Sequence, residues 1–230
     1  MFVQLPSRSK SGLRWATPLV FATLWCAFLW VSTRMPTTQR MLLEDWGALT
    51  GGPGLPETWQ ALWSSLRWKT LFTAIFLHAD WAHLLGNLVF LLIFGLPSER
   101  AMGPWRFLAL FLIGGAVANL ATVLMIGAPE RLVIGASGAV SAVIGAYLAL
   151  FPRAKLGVVV PLGLFLEFIR VPASLLIGAW AVVQVVFAYI GPAFGAVAWN
   201  AHIAGFLFGV LFAVLARAGI ERRLRHAKNW

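Results

Sequence analysis

Three of the chain's four histidines fall in two spaced patterns, His78-x4-His83-x3-Asn87 and Ala201-His202-x2-Gly205-x3-Gly209. Between them lies Gly135-Ala136-Ser137-Gly138. All three patterns sit inside or at the end of strongly apolar segments. Ionisable and hydrogen-bonding side chains are costly in hydrocarbon, so an intramembrane His or Asn marks function. A serine beside an imidazole can act as a nucleophile: the ring removes the hydroxyl proton and later protonates the leaving amine. Gly135 and Gly138 flank Ser137 and permit a tight turn and close backbone approach. At a helix N-terminus Ser137 also has free backbone N–H groups nearby, which can hold a developing oxyanion. His83 and Asn87, four residues apart on one helix face, can add side-chain donors to that hole. His78, beside Asp80 and Trp81, reads as a structural tie between an outer loop and the bundle. His226 belongs to a basic tail.

These residues need elements to bring them together. The chain is 60% hydrophobic and only 11% charged, which is the composition of a polytopic membrane protein. Six apolar segments approach the length needed to cross a bilayer, at about 15–33, 82–97, 105–127, 134–151, 172–191 and 197–216. Proline and glycine punctuate the joints, as at Pro97, Gly103-Pro104, Pro152 and Gly191-Pro192. The first segment follows Arg8, Lys10 and Arg14 like a signal peptide, but no small-x-small cleavage site follows it, so it reads as a retained span. The expected fold is an all-α membrane bundle of six transmembrane helices. Ser137, Ser141 and Gly145 repeat every four residues along one face of the fourth span. Gly205 and Gly209 have the same spacing in the sixth, and small residues at that interval let membrane helices pack backbone to backbone. If the two faces meet, His202 is carried to Ser137. The sixth span holds no acid to orient the imidazole, so the expected machinery is a dyad.

Charge sets the orientation. With both termini inside, Arg34, Arg40, Arg67, Lys69 and Arg131 are the only ones of the 18 basic residues left outside. His78, Ser137 and His202 then share the outer half of the membrane. The formal charge of +10 is spread over segment ends, which fits topology rather than nucleic-acid binding. Cys26 is the only cysteine, and no Cys/His cluster has zinc-finger spacing, so no disulfide, metal or other cofactor is expected. Residues 1–14 read as a cytoplasmic tail, 15–216 as the six-span domain and 217–230 as a basic cytoplasmic tail, with no soluble domain appended. The outer connection of about 34–78 carries Trp59, Leu62, Trp63 and Leu66 at helical spacing and should lie in the headgroup zone, against lipid. The stretch 155–171 is apolar but interrupted by Pro161, Gly163, Glu167 and Arg170, and reads as an interfacial or partly dipping stretch before the fifth span.

Taken together, these motifs resemble those of the rhomboid intramembrane serine proteases, from about Leu71 to Gly209. The family's H-x4-H-x3-N appears as His78, His83 and Asn87; its G-x3-E-x3-G as Gly95, Glu99 and Gly103; its G-x-S-G as Gly135 to Gly138; its A-H-x2-G-x3-G as Ala201, His202, Gly205 and Gly209. The resemblance implies a six-helix fold with a water-accessible cavity opening outward. It implies Ser137 as nucleophile, His202 as general base, and an oxyanion hole of His83, Asn87 and the Ser137 N–H, with His78 structural. It implies single-span membrane proteins as substrates, cut near the outer end of their helix. A small residue typically precedes the cut, and helix-destabilising residues follow it. A bacterial-type cytoplasmic membrane is the expected location; the chain does not indicate an oligomeric state.

Three positions depart from the pattern. Ser141 stands where many relatives stack an aromatic on the histidine. Trp68-Lys69 stands one position early for a usual Trp-Arg pair, and Lys lacks the bidentate contacts of Arg. Asn200 stands where an aromatic is common. Two other readings compete: a catalytically silent relative that holds client helices, and a metal or proton transporter using the three histidines. The second needs polar groups on both sides of the midplane, and the cytoplasmic halves offer no such path.

Overall fold

A computed structural model of the chain describes residues 14–50, 60, 64, 66–125, 131–162, 165–190 and 199–226. Trp59, Leu62 and Trp63 of the expected interfacial stripe, and Gly191-Pro192, lie outside the described residues. Among the described residues the helices include α1 (Ala16–Ser32), α2 (Pro36–Trp46), α3 (Trp68–Thr73), α4 (Trp81–Met102), α5 (Pro104–Met125), α6 (Ser137–Leu150), α7 (Ala173–Ile190) and α8 (Trp199–His226). Four of them, α4, α5, α7 and α8, are long and apolar enough to cross a membrane. The other two expected spans are shorter apolar helices, α1 with 17 residues and α6 with 14. At 1.5 Å per residue α6 is roughly 21 Å long, less than a hydrocarbon core of about 30 Å. It can be short because it is enclosed by protein: from Gly138 to Tyr147 every residue is buried. Backbone ends at membrane depth are tolerated only where protein or a polar cavity receives them.

The helix boundaries differ from the apolar segments in two informative places. Helix α4 does not stop at Pro97. It passes through a π-helical turn at Leu91–Gly95 and runs on to Met102. Proline lacks an N–H and its ring crowds the carbonyl four residues back, here Ile93, so widening that turn relieves the clash without breaking the helix. Gly103, at φ 86°, then reverses the chain into Pro104 at the start of α5. Helix α8 likewise runs past the apolar stretch into the expected tail, as far as His226. Its end is docked: Ile220 is fully buried, and Arg223 Nη1 donates to the carbonyls of Arg100 and Ala101 at 2.9 and 3.2 Å.

Helix α1 packs a stripe of Ala16, Val20, Leu24, Phe28 and Val31 into the core. Its N-terminus is held by Glu99, which is fully buried on α4 and accepts from the backbone N–H groups of Ala16 (2.9 Å) and Thr17 (2.8 Å). A carboxylate there satisfies two orphan donors and complements the helix dipole. Glu99→Ala is expected to destabilise the protein by about 2–3 kcal/mol, since hydrogen bonds to charged groups exceed neutral ones and two donors lose their partner. Thermal unfolding in detergent micelles measures this.

Among the described residues, two small sheets join the helical bundle. In the connection of residues 34–78, α2 leads into β1 (Ala48–Leu49), which pairs antiparallel with β2 (Leu132–Val133), matching Ala48 to Val133 and Leu49 to Leu132. The stretch read as interfacial is a β-hairpin, β3 (Lys155–Leu162) with β4 (Phe165–Pro172). Its alternation explains it: Leu156 and Val158 turn toward the bundle, while Lys155, Gly157 and Val159 face out. The same connection is also pinned by Arg67, whose Nη1 and Nη2 donate to the carbonyls of Glu44 (3.2 Å) and Asp45 (2.6 Å).

Candidate active site

The N-termini of α4, α6 and α8 converge on one cavity of about 790 Å3, so positive helix ends and free N–H groups face it together. His83, Asn87, Ser137 and His202 all line it, with Asp80, Asn119 and Ser141.

Helix α4 supplies the first motif. Asp80 caps it, its Oδ1 accepting from the His83 N–H at 2.9 Å. One turn on, Asn87 is buried and its Nδ2 lies 3.0 Å from His78 Nε2. The Ala136 N–H donates to the same His78 nitrogen at 3.4 Å. His78 therefore links α4 to the turn that carries the serine. Both neighbours of His78 Nε2 are donors, so this nitrogen is the acceptor that they share, as an uncharged imidazole provides. Asn87 Nδ2 has two hydrogens. One serves His78 and the second is left to donate elsewhere in the cavity.

The serine turn is shaped by Gly135, at φ 118°, a conformation side chains rarely adopt. A Cβ built there would lie 2.5 and 2.6 Å from Cε1 and Nε2 of His83, so the imidazole of His83 rests against this glycine. The Gly135 N–H donates to the Ala74 carbonyl at 2.9 Å, anchoring the turn to the segment after α3. Ser137 opens α6. The hydroxyl of Ser141 donates back to the Ser137 carbonyl at 2.7 Å, so that side chain completes the first turn of α6.

Helix α8 brings His202. Its glycines lie directly on α6: a Cβ at Gly205 would strike the Gly138 carbonyl oxygen, and one at Gly209 the Ala142 carbonyl oxygen. Across the same seam, a Cβ on Gly138 would sit 3.7 and 3.8 Å from the O and Cβ of Ala201. The residues that follow Ser137 and precede His202 in the chain are thus in contact. The helices meet closely, but the α6 side of the seam is Gly138, Ala142 and Gly145, one residue on from the expected Ser137 and Ser141, and the helices run in the same direction because Gly138 and Ala142 meet Gly205 and Gly209 in order.

Four residues escaped the sequence reading: Trp180 and Asn119 line the cavity, and Gln184 and Trp199 lie against His202. Gln184, buried on α7, has its Oε1 2.6 Å from His202 Nδ1. Trp180, one turn before it, lies beside the imidazole at a centroid distance of 6.4 Å and 30° between planes, and Trp199 meets it edge-on at 5.8 Å and 90°. The aromatic neighbours that positions 141 and 200 do not supply come from these two tryptophans. Asn119 Nδ2 donates to the Leu71 carbonyl at 2.8 Å, tying α5 to α3 under the cavity. The available signal was a lone amide in an otherwise apolar span, at 119 and again at 184.

Residues 65–219 match the family model of the Rhomboid domain. Among curated proteins, the chain is 36% identical over 83 residues to a RHOMBOID-like protein 5 of Arabidopsis thaliana, covering 36% of this chain and 26% of that one. It is 38% identical over 82 residues to a putative rhomboid protease of Bacillus subtilis, covering 35% and 40%. A longer match, 29% identical over 181 residues, is to a mitochondrial presenilin-associated rhomboid-like protein of Danio rerio, covering 78% and 42%. The chain therefore spans less than half the length of each of these relatives.

Proposed function

Since the chain belongs to the rhomboid family, we propose that it is an intramembrane serine endopeptidase that cleaves transmembrane segments of other membrane proteins, with Ser137 as nucleophile and His202 as general base. The observation that carries this reading is the cavity where α4, α6 and α8 meet, lined by a serine, two imidazoles and an asparagine inside an apolar bundle.

In this reading Ser137 Oγ attacks the scissile carbonyl while His202 Nε2 takes its proton. The negative charge that develops on the carbonyl oxygen is received by the Ser137 N–H at the head of α6, the free Asn87 hydrogen and His83. Collapse breaks the C–N bond as His202 returns the proton to the leaving amine, and water then repeats the sequence on the acyl-enzyme. The cavity supplies that water at membrane depth. Substrates are single-span helices with helix-weakening residues near their outer end, because an intact helix gives up its hydrogen bonds reluctantly in lipid. No cofactor or nucleic acid takes part. Both termini face the cytoplasm of a bacterial-type inner membrane, on the charge bias of the connecting segments.

A fluorophosphonate probe tests the activated serine. The wild type is expected to label in liposomes, and the Ser137→Ala and His202→Ala variants are not. An unlabelled wild type that also leaves a reporter transmembrane substrate uncut would favour a client-binding role. Asn87→Ala is expected to lower kcat by roughly 100-fold with the remaining donors in place, the typical effect of removing one oxyanion donor. Steady-state cleavage of a reporter substrate measures it.

A further inference from the structure

Helix α7 presents its apolar residues outward: Leu175, Val182, Val183, Val185, Val186 and Tyr189 are exposed. Against that background Gln184 is turned inward and only 5% exposed. A buried amide in such a helix is costly unless bonded, and its partner here is the imidazole of His202 at 2.6 Å. Ser174 is the only other small polar side chain on α7, so the contact is not one of a polar cluster on this helix. Trp180, on the same face one turn earlier, closes the side of the same ring.

We propose that Gln184 is the positioning residue for His202, the third member of a Ser137–His202–Gln184 relay; this rests on the protease reading above. With Oε1 accepting, Nδ1 must carry the hydrogen, and the lone pair is left on Nε2. That is the tautomer a general base needs. When Nε2 takes the proton of Ser137 Oγ, Nδ1–H keeps its acceptor, and when Nε2 gives the proton to the leaving amine the starting tautomer is restored. An aspartate would do the same in a soluble enzyme. In a helix whose other face is apolar, an ionised carboxylate would be costly to hold, whereas a neutral amide supplies the acceptor without a charge. The acceptor comes from α7 and the base from α8, so the base is set correctly only while those two helices are docked.

The test uses the full-length protein in micelles and in liposomes. Gln184→Met keeps the length of the side chain and removes the acceptor; Gln184→Glu keeps an acceptor and adds charge. The groups that face His202 across the cavity are His83 and Asp80 from α4 and Ser137 and Ser141 from α6, so pH profiles are compared with His83→Gln as reference. In the wild type, 15N spectra of labelled histidine should show His202 as the Nδ1–H tautomer, and in Gln184→Met a mixture. Gln184→Met should lower kcat roughly 10-fold, the loss of about one orienting hydrogen bond, with KM within about twofold. Gln184→Glu should regain most of that kcat and move the acid limb of its pH profile upward. An unchanged tautomer in Gln184→Met overturns the proposal, whatever the activity. So does equal loss in both variants with a lowered melting temperature, which would mark a packing contact. The tautomer is read without turnover, so it stays decisive even where the wild type fails to label, a result that would count against the protease reading alone.

Discussion

Ser137→Ala and His202→Ala are each expected to abolish cleavage of a reporter transmembrane substrate, lowering kcat by at least about 1,000-fold. The double variant is expected to be no worse than either single one, because a nucleophile and its base act as a unit. The fold should survive both changes. Ser137 is only partly buried at the head of α6, and its carbonyl, which receives the Ser141 hydroxyl, is untouched by the substitution. The His202 side chain faces the cavity and α7. Intrinsic tryptophan fluorescence and melting temperature within a few degrees of wild type would establish that the loss is chemical. Cleavage persisting in Ser137→Ala above about one-tenth of the wild-type rate would remove Ser137 from the mechanism.

That such a prediction can be framed from a chain of letters has a physical reason. In lipid every polar side chain must be accounted for, so His78, His83, Asn87, Ser137 and His202 stand out against their surroundings. Their order and spacing carry the family resemblance, and the match over residues 65–219 shows that family. The glycines at 205 and 209 spoke for a close helix contact because four-residue spacing has few other uses in a span. Partners distant along the chain were not legible. Gln184 lies 18 residues from His202 and on another helix, and an amide in a span does not announce which ring it faces. The same holds for Asn119 and Leu71, 48 residues apart. The β3–β4 hairpin was hidden because an apolar stretch broken by proline and charge fits an interfacial coil as well as two strands. The extra turns of α4 and α8 were hidden because charge and proline mark the end of an apolar run, while a helix continues as long as its backbone bonds are met. Glu99 shows the other side of this. It belongs to the recognised motif, yet its role as the cap of α1 needed the fold, since Ala16 lies 83 residues away.

The seam between α6 and α8 leads to the second large effect. Gly205→Val is expected to reduce cleavage by at least about 100-fold and to lower stability by about 3 kcal/mol or more, at the upper end of the range for overpacking. Most overpacked sites recover by turning a neighbouring side chain aside. Here the added Cβ meets backbone, the Gly138 carbonyl, which belongs to the first turn of α6 one residue past Ser137. Relief therefore requires the helices to part, and with them the second close backbone contact of the seam, Gly209 against the Ala142 carbonyl. Parting them moves His202 away from Ser137 directly, and a displacement of about 1 Å between reacting groups costs on the order of 100-fold. Gly178→Val on α7 is the matched control: a Cβ there meets nothing within 4 Å, so the same substitution in another span should leave activity within about twofold of wild type. If Gly205→Val cleaved like Gly178→Val, the seam could not be what holds the two groups together, and the pairing of Ser137 with His202 would lose its structural basis.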